Sequence, residues 1–125
     1  MGKYQTGKHL EAFVLLFLAG HSGHGGAVLQ WLREILPGDW VIDGGRVYRL
    51  LRELDEAEAV TSHWSTESGA APVRIYTITA LGRGRLELWH QEISVRHDSL
   101  QRFLDGYEAW RRDPPTPRDD EAFLS

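Results

Sequence analysis

The stretch Asp43-Gly44-Gly45-Arg46-Val47-Tyr48-Arg49-Leu50-Leu51-Arg52-Glu53-Leu54 decides the fold of this 125-residue chain. Val47, Leu50, Leu51 and Leu54 recur at helical spacing, so one stripe of the segment must face a core. Arg46, Arg49 and Arg52 recur every third residue on the other side. Asp43 is a suitable N-cap, and the two glycines after it leave the helix start bare of side chains. A helix with a bare N-terminus and an arginine stripe can enter a DNA major groove. Read alone, the segment fits a solvated amphipathic helix better, because charged outer faces are ordinary. Its neighbours in the chain decide between the two.

Toward the N-terminus, residues 1–8 read as a polar arm and residues 10–19 as a buried first helix, apolar nearly all round. The glycines and Ser22 of residues 20–26 punctuate the chain. Residues 27–36 form a second amphipathic helix, with Val28, Trp31, Leu32 and Ile35 expected to face inward. Pro37-Gly38-Asp39 makes a turn, and residues 40–42 are short and extended. Toward the C-terminus come two candidate strands, residues 60–64 and 73–79, joined by a small, polar loop with Gly69 and Pro72. That is a β-hairpin with a long tip. Helix, helix, short strand, helix, strand, strand is the order of a winged helix, in which the hairpin is the wing.

Thr79 can cap a long helix that runs to about Trp110. Leu86, Trp89, Ile93, Leu100, Phe103, Tyr107 and Trp110 form a stripe along it at spacings of three, four or seven. The stripe continues past what a small three-helix core needs, so it is expected to bury against a second copy of the chain. The prolines after Asp113 stop this helix, and residues 113–125 are expected to be an acidic, disordered tail. The organisation is therefore a mainly α fold with a small hairpin: a winged helix-turn-helix DNA-binding domain over 1–79, a dimerisation helix over 80–112, and the tail.

Composition narrows the function classes. Hydrophobic residues make up 42% of the chain, which suits a globular core. With no cysteine, disulfides and thiolate metal sites are excluded, and a reducing, cytoplasmic setting is expected. The longest apolar run, residues 12–19, is far too short for a membrane span. The net charge of −4 argues against indiscriminate nucleic-acid binding, but the tail holds Asp113, Asp119, Asp120 and Glu121 against Arg118 alone, and the body without it is nearly neutral. His21 and His24 have a spacing that could hold two metal ligands, yet they lie in a glycine-rich turn with no cysteine near and only Glu11 and distant histidines to complete the set, so no metal is expected. Without a nucleophile elbow or a phosphate-cradling loop, no enzyme and no cofactor are expected.

The chain resembles the PadR family of transcriptional regulators. The likeness is carried by His24-Gly25 opening the second helix, by Val47-Tyr48 with Leu51 and Leu54 in the third, by Trp64 in the wing, and by Tyr76-Thr77-Ile78-Thr79-Ala80-Leu81-Gly82 leading into the long helix. The resemblance implies a homodimeric repressor that binds double-stranded DNA and is released by a small aromatic or planar effector. By position it implies groove contacts from Gly44, Gly45 and Arg46, a phosphate contact or structural anchor at Tyr48, a phosphate or base contact at Arg49, and a wing contact from Arg74. Arg52 joins this set from its place on the stripe, with simple solvation as its alternative. The chain departs from the family where Gly26 replaces a tyrosine, where Glu58 stands at a helix-ending glycine, and where Pro72 and Val73 replace basic wing residues. Arg74 is then the remaining cation of the wing, with Glu67 expected to oppose it.

On the long helix, Trp89, Ile93 and His97 lie on successive turns, and with Leu100, Phe103 and Tyr107 they are the expected effector or dimer-interface residues. Across a two-fold axis they would line either an aromatic-walled space for a flat ligand or a packed seam with none. A second reading, a winged-helix protein-interaction module that has lost DNA binding, follows from the acidic balance and the thin wing.

Overall fold

The computed structural model describes residues 4–5, 9–67, 69 and 71–117. It divides into two compact units, Met1–His90 and Gln91–Ser125. In chain order the elements are β1 (Tyr4–Gln5), α1 (Leu10–Gly20), α2 (Gly25–Ile35), β2 (Trp40–Val41), α3 (Gly44–Glu56), β3 (Val60–Ser65), β4 (Val73–Ile78) and α4 (Ala80–Arg112). The expected polar arm lies outside the described residues except at β1, which pairs in parallel with β2. The expected tail lies outside them from residue 118 on.

The first unit is built on one apolar cluster. Leu10, Val14, Leu15 and Leu18 of α1 meet Val28, Leu29 and Leu32 of α2 and Val47, Leu51 and Leu54 of α3. β3 and β4 close it with Val60, Tyr76 and Ile78. The hairpin is antiparallel, with Val60 opposite Ile78, Ser62 opposite Tyr76 and Trp64 opposite Arg74. Gly23, in the α1–α2 loop, adds a short third rung: its N–H donates to Tyr76 O at 3.1 Å and its carbonyl accepts from Tyr76 N at 2.9 Å.

Two faces differ from expectation. On α2, Ile35 is 48% exposed, and Leu29 takes the inward place expected for it. Residues 28, 31, 32 and 35 form one helical stripe, and 28, 29, 32 and 36 form another that overlaps it. The second wins because α3 starts beside it: a Cβ on Gly44 would touch Leu29 Cδ1 at 3.4 Å. Trp31 is half-buried against Phe17, with ring centroids 5.5 Å apart. On α1, Leu16 and Ala19 are exposed, so that helix is buried along a face rather than all round.

The helix ends explain the turns. His24 Nδ1 accepts from Ala27 N at 3.2 Å, which starts α2 two residues earlier than its apolar pattern suggested. Asp43 Oδ1 accepts from Arg46 N at 3.3 Å and caps α3. At the other end of α3, Glu58 takes the left-handed conformation, φ 62°. Glu58 N donates to Asp55 O at 3.0 Å and Ala59 N to Leu54 O at 2.9 Å, the paired bonds of a Schellman cap. A glutamate here carries the steric cost that glycine avoids. Glu58→Gly is therefore expected to stabilise the chain by about 0.5–1 kcal/mol, net of the greater freedom of unfolded glycine. A thermal melt followed by circular dichroism should rise by a few degrees; a fall would show that the Glu58 side chain contributes more than its backbone costs.

α4 begins at a tight junction. Thr79 N donates to Ala59 O at 3.0 Å. Thr79 Oγ1 donates to Glu58 O at 2.7 Å and accepts from Gly82 N at 3.1 Å, capping the helix as expected. Farther along, Glu11 of α1 accepts from Arg85 Nε and from Trp89 Nε1, at 3.1 and 2.8 Å. The first turns of α4 thus belong to the winged-helix unit, and the boundary between units falls inside the helix.

Candidate nucleic-acid interface

An α-helix turns so that each third residue falls roughly 60° behind the last. Arg46, Arg49 and Arg52 therefore wind around the outer side of α3, and the structure leaves all three exposed. They divide between two depressions. Arg46 and Arg49 border one of about 370 Å³, with Glu11, Glu53 and Trp89. Arg52 borders the other, about 280 Å³, with Tyr48, His24 and the wing residues Trp64 and Arg74. Gly45 is exposed at the helix start, whereas Gly44 is half-buried beside Leu29.

Tyr48 stands one turn before Arg52 and reaches across to the start of α2. A Cβ on Gly25 would lie 2.2 Å from Tyr48 Cε1, so the ring packs where only glycine leaves room. The His24-Gly25 pair thus seats the tyrosine as well as opening α2.

Arg74 occupies a more constrained place than its sequence context suggested. Its guanidinium donates to Asp55 Oδ2 at 2.9 Å and, through Nε, to Ser62 Oγ at 2.9 Å. Ser62 Oγ in turn donates to Asp55 Oδ2. The carboxylate opposing Arg74 is therefore Asp55, not Glu67. Asp55, Ser62 and Arg74 tie the last turn of α3 to both strands of the wing and fix the angle between them. The guanidinium also stacks near the rings of Trp64 and Tyr76, 5.9 and 5.7 Å from their centroids.

Sequence reasoning did not place Asp55, Ser62 or His24 here, and it used Trp64 only as a motif. The signal was available in the wing: period-two alternation puts Ser62, Trp64, Arg74 and Tyr76 on one face of the hairpin.

The residues expected on the long helix fall into separate settings. Trp89 is bonded to Glu11 and packs edge-on to His9, 6.0 Å between centroids. Ile93 is half-buried, while His97 is exposed beside Asp98, with 3.7 Å between Nδ1 and Oδ1. Leu100, Phe103, Leu104, Tyr107 and Trp110 are all exposed, Phe103 at 67%. Phe103, Tyr107 and Trp110 touch in series, with ring centroids 6.4 and 5.6 Å apart. Of the two histidines with metal-ligand spacing, His24 is committed to its cap and His21 stacks on Phe17 at 5.1 Å. Among the described residues, no helix is long and apolar enough to cross a membrane.

Three helices, an antiparallel wing and a third helix with an exposed arginine face define a winged-helix protein of the DNA-binding class. Residues 14–88 match the transcriptional regulator PadR-like family, which is more than half of the chain, and the chain belongs to that family. Solved structures share the fold. A PadR family transcription regulator from Clostridium difficile is 21% identical, with a TM-score of 0.67 over 77% of this chain and 98% of its own. A PadR-like regulator from Bacillus cereus is 18% identical, with a TM-score of 0.69 over 79% and 94%. A conserved protein described as a potential transcriptional factor is 22% identical, with a TM-score of 0.73 over 83% and 91%. None of the curated proteins compared matches the sequence. The family and the Clostridium difficile and Bacillus cereus relatives are transcription regulators.

Proposed function

We propose that the chain is a homodimeric transcriptional repressor that binds operator DNA through the outer face of α3 and the wing. The observation that carries this reading is the outer face of α3, where Tyr48, Arg49 and Arg52 are all exposed while Val47, Leu51 and Leu54 anchor the helix from behind. Arginine suits that position because its planar fork can hold guanine O6 and N7 together or clamp a phosphate. Gly44, Gly45 and Arg46 supply the groove end of the helix. Arg74 serves chiefly by fixing the wing, with its charge shared with Asp55.

The dimer is supported by the exposed apolar stripe of the second unit, which has no reason to stay in water. In this reading the DNA-binding unit reaches into α4, residues on to 112 pair the two copies, and 113–125 form the tail. A small aromatic effector is part of the proposal through the family resemblance. Because Trp89 is bonded to Glu11, such a ligand would rely on Ile93, His97 and Leu100. The ion pair of Arg74 favours the second reading, a protein-interaction module, since it leaves the wing with little charge to offer a phosphate.

The double variant Arg46→Ala/Arg49→Ala separates the two readings. A DNA reader should lose operator affinity by roughly 10- to 100-fold in a gel shift while keeping its oligomeric state. Unchanged affinity would remove this face of α3 from the reading. A wild-type chain that shifts no duplex would favour the interaction module.

A further inference from the structure

We propose that Trp64 is a DNA-contacting residue, packing its indole against the sugar-phosphate backbone of the strand that passes between the wing and α3. This rests on the DNA-binding reading above and adds to it a residue and a type of contact.

The wing face that carries Trp64 is the face turned toward the body. On it, Val60 and Ile78 are buried in the core, and the next pair, Ser62 and Tyr76, meets Asp55 at the end of α3. The third pair, Trp64 and Arg74, continues the same face past the edge of the core. Trp64 is therefore 66% exposed although it points to the inner side of the hairpin. There it borders the 280 Å³ cleft with Tyr48, Arg52 and His24. A large exposed indole has a hydration cost that a structural role does not repay, since Trp64 covers none of the core. The hydrogen bonds among Asp55, Ser62 and Arg74 that tie the hairpin to α3 do not involve the Trp64 side chain.

The chemistry of the cleft selects the occupant. Tyr48, Trp64 and Tyr76 bring aromatic rings to its walls, with Arg52 and the Asp55-bound Arg74 beside them and the N-terminal end of α2 at His24. A duplex strand offers the complement: an apolar deoxyribose for the indole and the tyrosine, and a phosphate for the arginine and the helix end. Trp64 replaces with apolar contact some of what the wing lacks in positive charge.

The test is a binding titration of the full-length chain at several salt concentrations. Two duplexes are used, one selected by the wild-type chain from a random-sequence library and one unselected. Trp64→Ala is expected to weaken both on the order of tenfold, as loss of an aromatic packing partner does. The slope of log affinity against log salt should stay that of the wild type, because no counterion-releasing charge is removed. Trp64→Phe should retain most of the affinity. Arg52→Ala supplies the contrast, lowering the slope by about 1 for each lost phosphate contact. The proposal is overturned if Trp64→Ala binds like the wild type. It is equally overturned if the slope falls as in Arg52→Ala, since Trp64 would then only be steadying Arg74. A loss confined to the selected duplex would replace backbone packing with a base contact. A wild-type chain that binds neither duplex would overturn the DNA-binding reading itself, and this residue assignment with it.

Discussion

Replacing Leu100 and Phe103 together by glutamate is expected to turn the proposed dimer into a monomer and to cut operator affinity on the order of 10³-fold. Both side chains are about two-thirds exposed in the single chain, and they stand one turn apart on α4 beside Leu104, Tyr107 and Trp110. Burying a large apolar side chain contributes about 1.5–3 kcal/mol, so a stripe of five meeting its symmetry mate can hold a dimer. Two buried carboxylates would remove that gain and add a desolvation cost. A monomer would contact one half-site only, so every groove and phosphate contact would be halved. Sedimentation equilibrium reads the assembly and a gel shift reads the affinity. Because the substituted positions are exposed, the first unit should melt as before apart from the loss of coupled assembly. A variant that remains dimeric would place the interface elsewhere on the chain. A monomer that binds DNA undiminished would remove dimerisation from the mechanism.

Gly82→Val is expected to cost about 3 kcal/mol or more, enough to unfold much of the population near body temperature. A Cβ at Gly82 would lie 2.1 Å from Ala59 O and 2.7 Å from Ile78 Cγ1. The first contact is backbone and cannot rotate away. Relief requires α4 to lift from the β3–β4 junction, and that pulls on the two hydrogen bonds Thr79 donates there, to Ala59 O and Glu58 O. The control is two residues on. Gly84→Ala meets nothing within 4 Å, lies on the same helix, and should stabilise by about 0.5–1 kcal/mol through helix propensity. Urea titrations of the two variants should move in opposite directions. If both were stabilised, the close approach of α4 to Ala59 would not exist in solution.

Much of this molecule was legible before its coordinates. The stripe of Val47, Leu51 and Leu54 faces the core as its spacing required, and Asp43 caps the helix it was expected to cap. Thr79 starts the long helix. The wing strands begin and end within a residue of their expected limits. These features follow from local chemistry, where a side chain and the backbone within four residues of it settle the outcome. The inward face of α2 was not settled locally. Two apolar stripes were available, and the position of Gly44 on another helix chose between them.

The candidate site divides along the same line. The amino-acid sequence by itself determined that a winged helix forms, that an arginine stripe runs along its third helix, and that an aromatic stripe outruns the core. Periodicity, caps and turn residues act over a few residues, so one chain is enough to read them. Only the tertiary structure decided what each cation faces. Asp55 and Arg74 are far apart in sequence, and their pairing depends on the hairpin folding back over the end of α3. Trp89 gained a hydrogen-bond partner that spacing could not show, because Glu11 reaches it from the first helix. Trp64 gained a place beside Tyr48 and Arg52 only when the inner face of the wing ran on past the core. Charge and hydrogen bonding act through space, so their partners are fixed by the fold and not by the spacing of residues along the chain.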